Sequence, residues 1–69
     1  MFQRFFFLEE NEEIAGVFTD VDEAQEIALY LREDHPLDHF RLYSLTTAEI
    51  ENYPDAFEYA EDAGLVQHN

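Results

Sequence analysis

The side chains able to do chemistry in this chain are almost all carboxylates. His35, Asp38 and His39 gather around Pro36, a mixture of imidazole and carboxylate of the kind that zinc accepts. Pro36, however, breaks the helix that would set residues four apart on one face, so the cluster reads as an ordinary polar turn. Asp20-x-Asp22 and Glu9-Glu10-x-Glu12-Glu13 are rich in oxygen ligands for calcium. Neither continues into an EF-hand loop, which needs a mid-loop glycine and a closing glutamate at position twelve. Nonspecific divalent binding is expected, but no dedicated metal site and no cofactor. Nucleophilic catalysis lacks cysteine and lysine, and the lone Ser44 stands outside any Gly-x-Ser-x-Gly elbow. Gly16 and Gly64 are too few for a phosphate-cradling loop. Carboxylate pairs occur everywhere, which singles out none of them as a general acid and base. The chain is not expected to be an enzyme.

What the carboxylates belong to follows from composition. Seventeen acidic residues among 69 face three basic ones, for a formal net charge of −14. Disordered acidic segments lack aromatics, because they cannot bury enough apolar surface to offset chain entropy. Here 46% of residues are hydrophobic, with seven Phe and four Tyr. The charge therefore sits on a folded object, a single domain near the lower size limit for one hydrophobic core. Self-repulsion opposes that compactness, so the charge invites a reason. No cysteine is present, which removes disulfides and thiolate metal sites. The longest apolar run, Phe5-Phe6-Phe7-Leu8, is far too short for a membrane span. Met1-Phe2-Gln3-Arg4 leads into no secretory signal. A soluble, cytoplasmic protein is expected.

The elements that position these groups read as ββαβα. Residues 2–8 form an aromatic-rich strand, 9–13 a charged five-residue hairpin connection, and 14–18 a second strand. Gly16 marks a bulge or a close contact. Thr19 or Asp20 caps a helix over 21–33, with Asp22 or Glu23 in the capping-box position. Val21, Ala24, Ile27, Ala28 and Leu31 make its apolar stripe, and His35-Pro36 ends it. A third strand spans 40–45, placing Phe40, Leu42 and Ser44 on one face and Arg41, Tyr43 and Leu45 on the other. Thr46 and Glu49 make a second capping box before a short helix to about Asn52. Pro54 suits the first position of a last helix whose apolar side is Ala56, Phe57, Ala60 and Ala63, with Gly64 as its stop. The fold class is α+β: a three-stranded antiparallel sheet packed with one longer helix and a short C-terminal helical segment. In the first strand Phe2, Phe6 and Leu8 project one way, Phe5 and Phe7 the other, so both faces need cover. The C-terminal helix or a second copy of the chain must supply part of it, and a homodimer is expected.

On these elements the acidic residues become a surface. Asp22, Glu26 and Glu33 run along the outer side of the first helix, flanked by Glu23 and Asp34. Glu9, Glu10, Glu12 and Glu13 mark the hairpin connection, and Glu58, Glu61 and Asp62 the last helix. Duplex DNA carries one negative charge per ~1.7 Å of axis, close to the ~1.5 Å rise per residue of a helix. A domain so covered would resemble a short duplex to a basic groove, and would bind no nucleic acid itself. The expectation is a DNA mimic that occupies the DNA-binding surface of a basic protein. Two other readings compete. One is a protein-binding adaptor anchored by apolar side chains such as Leu29 and Tyr30. The other is a salt-adapted housekeeping domain, which the absence of lysine fits and seven Phe fit less well.

The run Ile14-Ala15-Gly16-Val17-Phe18-Thr19-Asp20-Val21-Asp22-Glu23-Ala24 resembles the strand–turn–helix of small phage and bacterial domains. The small size, acidity and aromatic core also resemble phage host-takeover proteins that mimic DNA, among them an inhibitor of the bacterial nucleoid protein HU. That resemblance implies a protein of the host cytoplasm that displaces DNA from a basic dimer, with an HU-like protein favoured. Such mimics share charge geometry and not sequence, so the resemblance carries over no individual residue.

Overall fold

Residues 4–66 are described by a computed structural model. The elements run β1 (Arg4–Glu10), β2 (Glu13–Phe18), α1 (Val21–Asp34), β3 (Phe40–Thr46), a 3-10 turn (Ile50–Asn52) and α2 (Pro54–Asp62). The sheet is antiparallel with order β2-β1-β3, so the expected ββαβα order and α+β class hold. Phe2, placed in the first strand by its sequence, lies outside the described residues.

The hairpin differs from its expected form. Glu9 and Glu10 are strand residues, paired with Arg41 and Phe40 on β3, and Glu10 pairs with Glu13 on β2. The connection is thus the two-residue turn Asn11-Glu12 and not a five-residue loop. Asn11 (φ 52°) and Glu12 (φ 72°) both adopt the left-handed backbone that such turns require. Asparagine tolerates that region; glutamate does so at a cost, and this is why the turn was not legible. The expected irregularity at Gly16 is present. Leu8 opposes Gly16 while Glu9 opposes Ile14, which leaves Ala15 as the extra residue of a bulge. A Cβ on Gly16 would come within 3.2 Å of the Phe18 ring.

Asp20 is the cap of α1, its Oδ1 accepting from the Asp22 N–H at 2.9 Å. The Thr46–Glu49 capping box is complete: Thr46 N–H donates to Glu49 Oε1 (3.0 Å) and Glu49 N–H to Thr46 Oγ1 (3.1 Å). It opens the short helix expected there, which takes the tighter 3-10 form. Pro54 begins α2. Its end is a Schellman motif, with Gly64 at φ 78°, Gly64 N–H bonded to Glu61 O and Leu65 N–H to Ala60 O. Leu65 is thereby folded back against the core.

Side-chain alternation splits the sheet into two apolar faces. Phe5, Phe7 and Leu45 project to one side, where Ile50, Ala56 and Ala60 close over them. Phe7 also stacks on Tyr43, ring centroids 5.5 Å apart. The two alanines let α2 approach the rings closely. Leu8 projects to the opposite side, where α1 buries Ala24 and Ala28. Val21 and Ile27, expected in that stripe, remain 39% and 38% exposed, because a sheet of three strands is too narrow to cover the full helix face. The Phe5/Phe7 face is covered from within by α2, one of the two covers expected for the face that α1 leaves open.

Two substitutions test this frame. Replacing Glu12 with glycine should raise stability by about 1 kcal/mol, the cost of a left-handed non-glycine residue. Glu12→Gln, which removes only the charge, should recover less in urea denaturation. The bonds donated by Thr46 hold the Glu49 pKa below its ordinary value of 4.5. Its contribution is therefore present above that value and lost as pH falls through the lowered one. Glu49→Gln should destabilise the domain at about pH 7 and lose that effect as pH falls through the lowered value, measured by paired melts.

Candidate partner-binding surface

Because α1 and α2 cover opposite faces of the sheet, the twelve carboxylates expected to form a working surface separate into three groups. Asp22, Glu23, Glu26, Glu33 and Asp34 are all exposed on α1. Along its outer side, Asp22, Glu26, Leu29 and Glu33 follow at helical spacing, a row of about 16 Å at 1.5 Å per residue. Leu29 (60% exposed) and Tyr30 (63% exposed) stand in and beside this row. On the other side of the molecule Glu58 and Asp62 are exposed on α2, while Glu61 is half-buried.

The third group lies around the hairpin. Glu12 and Glu13 are exposed, but Glu9 and Glu10 are half-buried strand residues with specific partners. Glu9 Oε1 accepts from Arg41 Nε at 2.8 Å, which raises the arginine's pKa. The same guanidinium lies 4.7 Å from the centroid of the Tyr43 ring. Burial, and then the Glu9 charge, push the Tyr43 phenol up. Glu9 is thus neutralised locally and contributes little to an acidic face.

Glu10 meets Asp38 across the chain. Asn11 laces the turn to the segment after α1, its N–H donating to His39 O (2.8 Å) and its Oδ1 accepting from His39 N–H (3.0 Å). The hydrogen bond to Asp38, then burial, raise the Glu10 pKa, while Asp38, bonded by Glu10 and Asn11, is lowered. The opposed directions are those of a carboxyl donor, Glu10, beside a carboxylate acceptor, Asp38. His35 joins them: ligand atoms of Glu10, His35 and Asp38 lie within 4.8 Å of one another. The sequence reading grouped His35 and Asp38 with His39 instead; Glu10 enters through strand pairing, which no local spacing signals. Three such ligands can hold a divalent cation weakly, one fewer than a structural zinc site uses.

An open groove of about 650 Å³ runs between the hairpin and the start of α2. Glu9, Glu12, Glu13 and Asp55 border it, with Tyr43, Tyr53 and Tyr59 as aromatic walls. Tyr53 is 53% exposed. Glu12, Glu13 and Asp55 have no ion pair among the described residues. Sequence reasoning missed this groove because its walls come from β1, β2, β3 and α2.

The described chain measures 39 × 22 × 17 Å. Duplex DNA of that length carries roughly 23 phosphate charges at ~1.7 Å each. The net charge of −14 gives about three fifths of that linear density. No helix among the described residues is long and apolar enough to cross a membrane. No family model matches the chain, and no significant match was found among curated proteins or solved structures.

These opposed directions yield a test. Glu10's stabilising contribution is present below the ordinary 4.5 and lost as pH rises through its raised value. Asp38's runs the other way, present above 3.8 and lost as pH falls through its lowered value. Asp38→Asn removes the carboxyl partner, so the Glu10 side-chain carbon should titrate at lower pH in an NMR titration. An unchanged Glu10 midpoint would contradict the pairing.

Proposed function

We propose that this protein is a DNA mimic, which occupies the DNA-binding surface of a basic protein and blocks it. The observation that carries the reading is the density of net negative charge: −14 over a body 39 Å long. The outer side of α1 is the best candidate for the contact, since the helix's five carboxylates are exposed and lie on one rigid element. Binding would release counterions from both partners and be steered at long range. An HU-like nucleoid protein is the first target to test, favoured by the resemblance to phage host-takeover proteins; on this reading the protein acts in the host cytoplasm. The fold has no catalytic role in this proposal.

Exposed Leu29 and Tyr30 support a second reading, an adaptor that engages its partner through apolar anchors. Salt separates the two, because contact between charged surfaces is screened and apolar contact is not.

A gel-shift competition tests the proposal. The protein should release DNA from HU, with an affinity that falls steeply as salt rises. Reversing charge at Glu26 and Glu33 should weaken competition roughly tenfold without unfolding the domain. Intact HU–DNA complexes at excess protein would remove HU as the target. Competition indifferent to the double reversal would move the contact away from α1.

A further inference from the structure

The groove between the hairpin and α2 has a chemistry distinct from the acidic row of α1. Its border is carboxylate and its walls are phenol rings, the combination that binds a cation by ion pairing and through the face of a π system. The molecule already contains one example of that arrangement. Arg41 lies over Tyr43 at 4.7 Å with its Nε bonded to Glu9 at 2.8 Å. Beside it, Tyr53 remains half-exposed, and Glu13 and Asp55 have no cationic partner among the described residues. The groove therefore holds one satisfied guanidinium and the components for another.

We infer that this groove receives an arginine side chain of the basic partner, the guanidinium resting against Tyr53 and pairing with Glu13 or Asp55. The inference rests on the reading that the partner is basic, and it names where one of that partner's side chains goes. Arginine fits better than lysine because its planar guanidinium stacks on an aromatic face while its N–H edge meets a carboxylate. An ammonium is a compact, strongly hydrated charge that gains less from the ring. The open form of the groove suits a side chain presented by a protein surface.

The test is an NMR titration of the isotope-labelled full chain with three short peptides that differ at one residue: arginine, lysine or the uncharged isostere citrulline. The arginine peptide should shift amides of Glu13, Tyr53 and Asp55, bind severalfold tighter than the lysine peptide, and outbind citrulline by more. Tyr53→Ala should weaken arginine binding about fivefold, and Tyr53→Phe, which keeps the ring, should restore it. Asp55→Asn gives a second probe on the carboxylate side should the alanine variant fold poorly. Equal binding of arginine and lysine, shifts confined to α1, or indifference to both Tyr53→Ala and Asp55→Asn would overturn the assignment. Its failure is separable from that of mimicry. If Tyr53→Ala displaces DNA from the basic protein as well as the unaltered chain does, the groove is wrong and mimicry stands. If the arginine peptide fills the groove but DNA is never displaced, mimicry is wrong and the groove stands.

Discussion

A central strand that is apolar on both sides governs this structure. Phe5 and Phe7 point one way from β1 and Leu8 the other, and each is all but completely buried. In 63 described residues no second sheet is available, so each face takes a helix. The contact points are alanines, Ala56 and Ala60 on one helix and Ala24 and Ala28 on the other, which trade side-chain volume for close approach to the sheet. Once two helices hold opposite faces, their polar sides must look in opposite directions. The distribution of carboxylate over the molecule is a consequence of how β1 is buried.

The charge is accommodated in several ways. Asp20 and Glu49 serve as caps, where a carboxylate accepts backbone N–H groups. Glu9 is paired with Arg41, whose largely exposed guanidinium lets water screen the bond and weaken it. Glu10 and Asp38 lie side by side, their pKa values pushed in opposite directions. Most of the remaining carboxylates are exposed and without counter-charge among the described residues, which leaves them available to a basic surface at the expense of mutual repulsion.

Much of the fold was legible in the chain because its signals are local. The alternation in β1 and β3, the caps at Asp20 and Thr46, Pro54 at a helix start and Gly64 at a helix end each act within a few residues. The hairpin escaped because Asn11-Glu12 lacks the glycine by which two-residue turns are recognised, and acidic residues on either side look like loop. The groove and the Glu10–His35–Asp38 cluster escaped for another reason. Both depend on strand register, which brings together residues some thirty positions apart. The candidate residues on α1 were legible as an outward face, since helical period alone decides it; that α2 faces away from them required the topology.

The sheet order β2-β1-β3 has one more consequence. Both outer strands carry backbone N–H and C=O groups that no neighbouring strand satisfies among the described residues. Such edges are templates for joining sheets end to end, and proteins ordinarily blunt them with charge, proline or bulges. This chain has a bulge on one edge, at Ala15, and a net charge of −14 on every copy. Two molecules approaching edge to edge repel each other before their strands can zip. The acidity that would draw a basic partner thus also opposes edge-to-edge polymerisation, and molar salt would weaken that opposition.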